Sequence, residues 1–428
     1  MARLFNARAT GRPVQPAMPD CGVEVRERIG GRTAAASGGG FRVEHMFDHQ
    51  GTLALNFEAS AQPEKMGSGM ERTSYTAISL YSGAGGLDLG FSRAGFRVQW
   101  AIDHDAFAVQ TYNANLEPYA VCGDVLSVDP PVGLRPTLVI GGPPCQGFSV
   151  IGRMNPDDPR SQHVDHFFDV VERLEPRAFV MENVKALGES QRWAFVRERL
   201  LKRAAELGYE RRLFILNAQD YGVPQARERM FLIGIQDATP EKPKPTTAGR
   251  PPTVRSALEQ LPRFGEPGND AACAARVVPA SRPIMRPTAH RGSLLFNGSG
   301  RPLDLNGPAK TIPASMGGNA TPIVDQEELE HGAEPWVVSY HRRLQEGKPP
   351  LKRAPSRLRR ITVQEAAALQ SFPPNWKFAG PRVAQYRQVG NAVPPRLAEA
   401  VAVAVRSVLE QLDAAAPKAA GVSLAQAA

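Results

Sequence analysis

The chain has 428 residues, a formal net charge of +8 and 42% hydrophobic residues, an ordinary globular composition for two to three domains whose core needs no staples. No apolar run reaches the roughly 18 residues of a spanning helix and no signal-peptide pattern opens the chain, while sparse cysteine usage fits a reducing cytoplasm. Four widely spaced cysteines (Cys21, Cys122, Cys145, Cys273) suggest neither a zinc cluster nor a disulfide framework, and the basic balance permits a polyanionic partner without requiring one.

Residues 1–74 carry Gly, Ala, Arg and Ser clusters with little apolar periodicity. They read as a largely disordered N-terminal extension, with a small accessory subdomain around Phe41–Phe57 as the alternative and Met70 as a candidate start. From Thr76 the texture changes. Apolar runs at 76–81, 98–102, 138–140, 178–181 and 229–235 alternate with stretches of helical spacing at 165–175 and 192–207. Alternating strand and helix predict an α/β sheet with helices on both faces over 75–240. Residues 241–356, rich in Pro, Gly and Arg, predict a smaller, loop-rich second domain. Regular pattern resumes at Ile361–Gln370. A last helix, Pro395–Leu412, is expected to pack on the sheet, so that 357–412 completes the first domain. The Ala-rich tail 413–428 is expected to be disordered.

Residues 79–91 read as strand, glycine loop, helix. Gly83, Gly85 and Gly86 allow a sharp turn and close approach of a ligand. No Gly-Lys-Ser/Thr follows, so this is no phosphate-cradling P-loop. The next apolar run ends in Asp103, suited to two ribose hydroxyls. A third run ends near Asp124, suited to an adenine amino group. Each Asp alone also fits a turn or helix cap; together they point to an adenosine ligand. Cys145 stands in Gly-Gly-Pro-Pro-Cys-Gln-Gly-Phe-Ser directly after Leu138–Ile140, a thiol presented at a sheet edge by a rigid loop. Glu182 ends a further apolar run and is placed to face the same cleft, or to cap the next helix. Arg227 and Arg229 are two apart at a strand start and are expected to share a face.

These motifs, with Gly390-Asn391-Ala392-Val393-Pro394, stand in one order: Ser82–Gly86, Gly142–Gln146, Glu182–Val184, Gln225–Arg229, Gly390–Pro394. In that set and order the chain resembles the DNA (cytosine-5) methyltransferases of prokaryotic restriction-modification systems, over Thr76 to Val405. The resemblance implies a Rossmann-like methyltransferase sheet, S-adenosylmethionine as the adenosine ligand, and a target-recognition domain at 241–356. It implies a cofactor pocket built from Tyr81, Gly83, Gly85, Gly86, Leu87, Asp103, His104, Asp124, Val125, Pro144, Asn391 and Val393. The family usually has Asp where Ser79 stands and Phe where Tyr81 stands. Near Arg360 it commonly has Pro where Val363 stands and Arg where Ala368 stands.

The chemistry implied is addition of the Cys145 thiolate to carbon 6 of cytosine, which turns carbon 5 into a nucleophile for the methyl group. Glu182 donates a proton at ring nitrogen 3, Arg229 holds the carbonyl oxygen at position 2, and Arg227 orients or supports. No metal is needed. The target base must leave the duplex. Gln146 and Ser149 are assigned to DNA contact within the cysteine loop. The basic run 341–360, with Arg342, Arg343, Lys348, Lys352, Arg353, Arg357, Arg359 and Arg360, is assigned to the phosphate backbone, or else is a solvated basic loop. His290–Gly292, Leu295–Gly298 and Ser315–Asn319 are candidates for reading base edges. The expected partners are double-stranded DNA and, functionally, a restriction endonuclease of matching specificity, with the enzyme a monomer. The rival readings are a cytosine-5 methyltransferase acting on transfer RNA and a DNA-binding protein that has lost catalysis.

Overall fold

The computed structural model of the protein describes residues 75–144, 162–247 and 249–415, together with the backbone of 44–47 and 53–56. The chain divides into two units, Met1–Thr73 and Ser74–Ala428. Within the first, strands β1 (Glu44–Phe47) and β2 (Leu53–Asn56) form an antiparallel hairpin with Glu44 opposite Asn56. The expectations of disorder for the rest of 1–74 and for the end of the tail lie outside the described residues.

The second unit is built on a seven-stranded sheet. In chain order its strands are β3 (Thr76–Leu80), β4 (Arg97–Asp103), β5 (Ala120–Cys122), β6 (Leu138–Gly141), β7 (Ala178–Val184) and β8 (Tyr209–Asn217). The two-residue β9 (Gln225–Ala226) lies outside the sheet, and β10 (Glu228–Gln236) returns to it. The spatial order is β5-β4-β3-β6-β7-β10-β8, with β10 antiparallel to both neighbours and the pairs from β5 to β7 parallel. The central strands are buried on both faces; Leu138, Val139 and Ile140 have no exposed surface, and this explains their unbroken apolar reading. The strand order reverses between β3 and β6. In an open sheet that reversal opens a crevice at the carboxyl ends of the strands, where the glycine loop, Asp103 and the proline loop all emerge.

One face is covered by α1 (Gly86–Arg93) and α2 (Ala106–Asn115), and the other by α3 (Gln162–Leu174), α4 (Lys185–Glu189) and α5 (Ala194–Glu206). Helix α3 follows from its spacing: Val164, Phe167, Phe168, Val171 and Leu174 form one buried stripe. Phe168 meets Phe179 of β7 edge-on, ring centroids 5.2 Å apart.

Residues beyond β10 hold short elements: α6 (Val254–Leu258), β11 (Pro279–Ile284) paired with β12 (Leu294–Phe296), β13 (Ala309–Lys310), β14 (Ile323–Asp325), α7 (Gln326–His331) and α8 (Trp336–Gln345). There follow β15 (Leu358–Arg360), α9 (Val363–Leu369), α10 (Arg382–Asn391) and α11 (Pro395–Ala415). Strand β13 pairs in parallel with β9, which stitches this region to the start of β10. The segment 357–412 divides between two cores. Strand β15 pairs with β14, and Val363, Ala366 and Leu369 of α9 share a cluster with Val254 and Leu258 of α6. Helix α11 instead lies on the sheet, with Leu397, Ala398, Val401 and Val405 among the side chains of α1 and β4. Gly90 permits that contact, because a Cβ there would stand 2.4 Å from the Cβ of Ala398.

Candidate active site

The glycine loop is fixed to its neighbours by backbone hydrogen bonds. Ser82 N–H donates to Ile102 O at 3.0 Å and Gly85 N–H to Ser82 O at 3.0 Å. Asp103, at the end of β4, is 7% exposed. Its Oδ2 accepts from Gly83 N–H at 2.9 Å and its Oδ1 from Asp105 N–H at 2.8 Å. Burial raises its carboxyl above the ordinary carboxylate range, and the two N–H groups work against that rise. Each oxygen keeps a lone pair for a further donor, the property that two adjacent ribose hydroxyls require. Gly86 is pressed against the turn before α11: a Cβ there would stand 2.4 Å from the carbonyl oxygen of Val393. The sequence places Asn391–Val393 more than three hundred residues from the glycine loop, and the fold closes one onto the other. This cradle of buried carboxylate, free backbone and closing turn fits an adenosine-bearing cofactor.

The other expected pocket residues divide. His104 is exposed, its Nδ1 3.4 Å from Asp103 Oδ1. Asp124 is exposed and caps its own turn, its Oδ1 accepting from Leu126 N–H and its Oδ2 from Ser127 Oγ. Leu87 and Val125 are core side chains on opposite faces of the sheet, so only their backbone is free for a ligand. Cys122, beside Asp124, is partly buried, its sulfur 3.9 Å from the backbone carbonyl oxygen of His104.

The stem of the proline loop is held by β7. Asn183 donates through Nδ2 to Pro143 O at 3.2 Å, and a Cβ on Gly142 would stand 3.0 Å from Glu182 Oε2. Glu182 therefore lies at the root of the loop that carries Cys145. Cys145, Gln146 and Ser149 themselves lie outside the described residues. Glu182 forms an ion pair with Arg229, whose Nε is 3.0 Å from Glu182 Oε1, and both side chains are mostly buried. Burial raises the Glu182 carboxyl, while Arg229 and then Arg227 pull it back.

Arg227 does not share a face with Arg229, although their spacing leads one to expect it. Residue 227 falls between β9, which pairs with β13, and β10, which joins the main sheet, so the two-residue repeat is broken there. The residue is 1% exposed, and its guanidinium donates to Ile312 O at 3.2 Å and Gly390 O at 2.8 Å. It braces the loop after β13 and the end of α10, and its charge acts on Glu182. Gln225 is likewise internal, bonded to Leu369 O, Gln370 and Ile312 N–H.

The basic run also divides. Arg342, Lys348, Lys352 and Arg353 are exposed, and Arg343 partly so. Arg357 is paired with Asp325 at 2.6 Å and Arg359 with Glu365 at 2.6 Å. Arg360 is 3% exposed and donates to Thr321 O and Asn297 O. The expectation of phosphate contact is corrected for these three, because internal acceptors already take them. The same holds for the expected base readers Arg291, bonded to Leu303 O and Glu328, and Asn297, bonded to Asn319 and Arg276 O. His163, on the first turn of α3, was not singled out by the sequence and stands against Tyr81 at the pocket's edge. Asp88, fully buried behind the glycine loop and bonded to Tyr112 Oη at 3.0 Å, was missed as well.

Residues 75–407 match the family described as C-5 cytosine-specific DNA methylase. The chain belongs to that family. Relatives at this level include the type II methyltransferase M1.HphI of Haemophilus parahaemolyticus, 35% identical over 348 residues that cover 78% of this chain and 87% of the relative. M.AgeI of Thalassovita gelatinovora is 30% identical over 427 residues, 77% of this chain and 98% of its own length. Among solved structures, a putative DNA modification methyltransferase encoded within an Escherichia coli prophage superposes with a TM-score of 0.56 at 24% identity, covering 79% of this chain and 100% of its own. The Schizosaccharomyces pombe Dnmt2 methyltransferase gives 0.55 at 19%, covering 79% and 99%; these two likenesses speak for the fold alone. As a C-5 cytosine-specific DNA methylase, the protein transfers a methyl group from S-adenosylmethionine to carbon 5 of cytosine in DNA. Among the described residues, no helix is long and apolar enough to cross a membrane.

Proposed function

We propose that methylation runs through covalent addition of Cys145 to carbon 6 of a cytosine swung out of duplex DNA, at one short recognition sequence. The observation that carries this reading is the Glu182–Arg229 pair at the root of the Cys145 loop. Adding a thiolate to the ring builds negative charge at nitrogen 3 and the position-2 oxygen. A buried carboxyl with raised proton affinity supplies a proton at the first, and a guanidinium stabilises the second. Arg227 acts by bracing, not by touching substrate.

Asp103 would hold the ribose hydroxyls of S-adenosylmethionine, Gly83–Gly86 and the Asn391–Val393 turn would pack on it, and Asp124, Tyr81 and Pro144 would line the adenosine end. When bound, it supplies the electrophilic methyl group. Residues 241–356 serve as the target-recognition region. Arg342, Arg343, Lys348, Lys352 and Arg353 contact phosphates, and Gln146 and Ser149 contact the target strand from the catalytic loop. The protein works as a monomer in a prokaryotic cytoplasm, alongside an endonuclease of the same specificity.

The test is covalent trapping. DNA containing 5-fluorocytosine blocks release of the enzyme after methyl transfer. The wild type incubated with such DNA and S-adenosylmethionine is expected to give a denaturant-stable adduct, and Cys145→Ser none. Bisulfite sequencing of host DNA is expected to show methylcytosine at one sequence. Methylcytosine formation by the Cys145→Ser protein would overturn the covalent route.

A further inference from the structure

Tyr81 directly follows β3, ahead of the glycine loop, with φ of 57°, in the left-handed region where a residue bearing a Cβ is strained. Its hydroxyl lies 3.2 Å from the backbone carbonyl of His163 and 3.2 Å from Nδ1 of the same residue's ring. The two rings meet edge to face, with centroids 5.5 Å apart and planes at 82°. Burial, helped by Asp124 and Asp103, pushes the Tyr81 hydroxyl far above its ordinary range, so it remains a donor. Burial holds the His163 imidazole below its ordinary value, so at neutral pH the ring is uncharged and Nδ1 is able to accept. The ionisable groups facing the pair are Asp103 at the end of β4 and His104 just after it, Asp124 after β5, and His166 and Asp169 from α3.

We propose that Tyr81 and His163 form a positioning latch for the adenosine end of the cofactor, tying the glycine loop to the first turn of α3. The proposal rests on the cofactor site read above and goes beyond it. Phenylalanine, usual in the family at this position, offers the same ring face but nothing that reaches α3. The hydroxyl of Tyr81 fixes the ring and the strained backbone before the ligand arrives. A ring without that tether must be ordered at the moment of binding, which costs affinity. Asp103, which faces Tyr81, also holds Gly83, so one cluster sets the loop from both sides.

Isothermal titration of the full-length protein with S-adenosylhomocysteine, the unreactive product of the cofactor, tests the latch. Tyr81→Phe keeps the ring and loses the hydroxyl, whose one proton is shared between the two acceptors. His163→Phe keeps the edge-to-face contact and the backbone acceptor and loses only Nδ1. Tyr81→Phe is expected to weaken binding about fivefold, the loss of one ordinary hydrogen bond. The KM for S-adenosylmethionine should rise by a like factor while kcat and melting temperature hold, and His163→Phe should fall between. Equal binding by the wild type and Tyr81→Phe would sink the latch. So would a drop in kcat and melting temperature together, which marks a merely structural contact. A wild type that takes up no S-adenosylhomocysteine would overturn the cofactor site and the latch with it, an outcome distinct from both.

Discussion

Arg229 Nε stands 3.0 Å from Glu182 Oε1 across two neighbouring antiparallel strands, with Arg229 opposite Val184 and Glu182 opposite Phe231. The sheet register, not a loop, sets the distance between the proton donor and the cation, so neither is free to drift. Because Arg229 lowers a carboxyl that burial raises, the pair also sets the pH at which Glu182 gives up its proton.

Glu182→Gln is expected to slow methyl transfer by ~10²–10⁴ while leaving DNA binding intact, since it removes the acid and keeps the shape. Single-turnover transfer and a gel-shift titration check this. In the wild type the rate should fall on the alkaline side as Glu182 ionises. Arg229→Gln removes the largest charge that lowers this pKa, so its alkaline limb should move to higher pH even as its maximal rate drops. A limb that stays in place or moves down would count against Glu182 as the titrating acid.

Arg227→Ala leaves the carbonyls of Ile312 and Gly390 short of a buried donor. It should cost about 2–4 kcal/mol of stability, in the range for breaking a buried charged hydrogen-bond network. Urea unfolding measures this. A variant of wild-type stability with slow chemistry would instead place Arg227 at the substrate.

Asp88 supplies a pH signature of the fold. Burial pushes its carboxyl up to about 6, against the pull of Ser79 and Tyr112. A folded pKa above the unfolded value means that the native state binds the extra proton. The contribution to stability is therefore largest at low pH and declines as pH rises from the unfolded pKa through about 6. Asp88→Asn removes this decline. Relative to wild type it should gain about 1–3 kcal/mol at pH 8 and much less at pH 4.5. Thermal melts at the two pH values settle the sign.

Neutralising Arg342, Lys352 and Arg353 together should weaken binding to every DNA sequence. The slope of log affinity against log salt should flatten by about 0.9 for each phosphate that no longer meets a cation. Arg357→Ala should leave that slope alone and lower stability, because its guanidinium serves Asp325 and the carbonyl of Glu334. The reverse pattern would return Arg357 to the DNA surface.

The sheet was legible because its central strands are apolar without interruption, and α3 because its buried residues recur at three and four. The carboxylates Asp103 and Glu182 were legible because strand ends of a doubly wound sheet converge on one edge. What escaped depends on partners far along the chain. Arg227 looks like Arg229 in sequence, yet its acceptors lie 85 and 163 residues away. The basic run counts Arg357 and Arg359 among its charges, but Asp325 and Glu365 claim them. His163 carries no motif, and only the fold brings it to Tyr81. The domain boundary at 357 misses that β15 and α9 face β14 and α6, a pairing no local pattern announces.

Helix α11 closes over α1 where Gly90 meets Ala398, and the turn before it crowds Gly86. A ribosome delivers the first glycines early and this covering helix more than three hundred residues later. Until then the nascent chain carries an uncovered greasy flank and half a cofactor cradle, so methylating power should arrive only on completion, and polypeptides cut short before Pro395 should be inert and prone to clump.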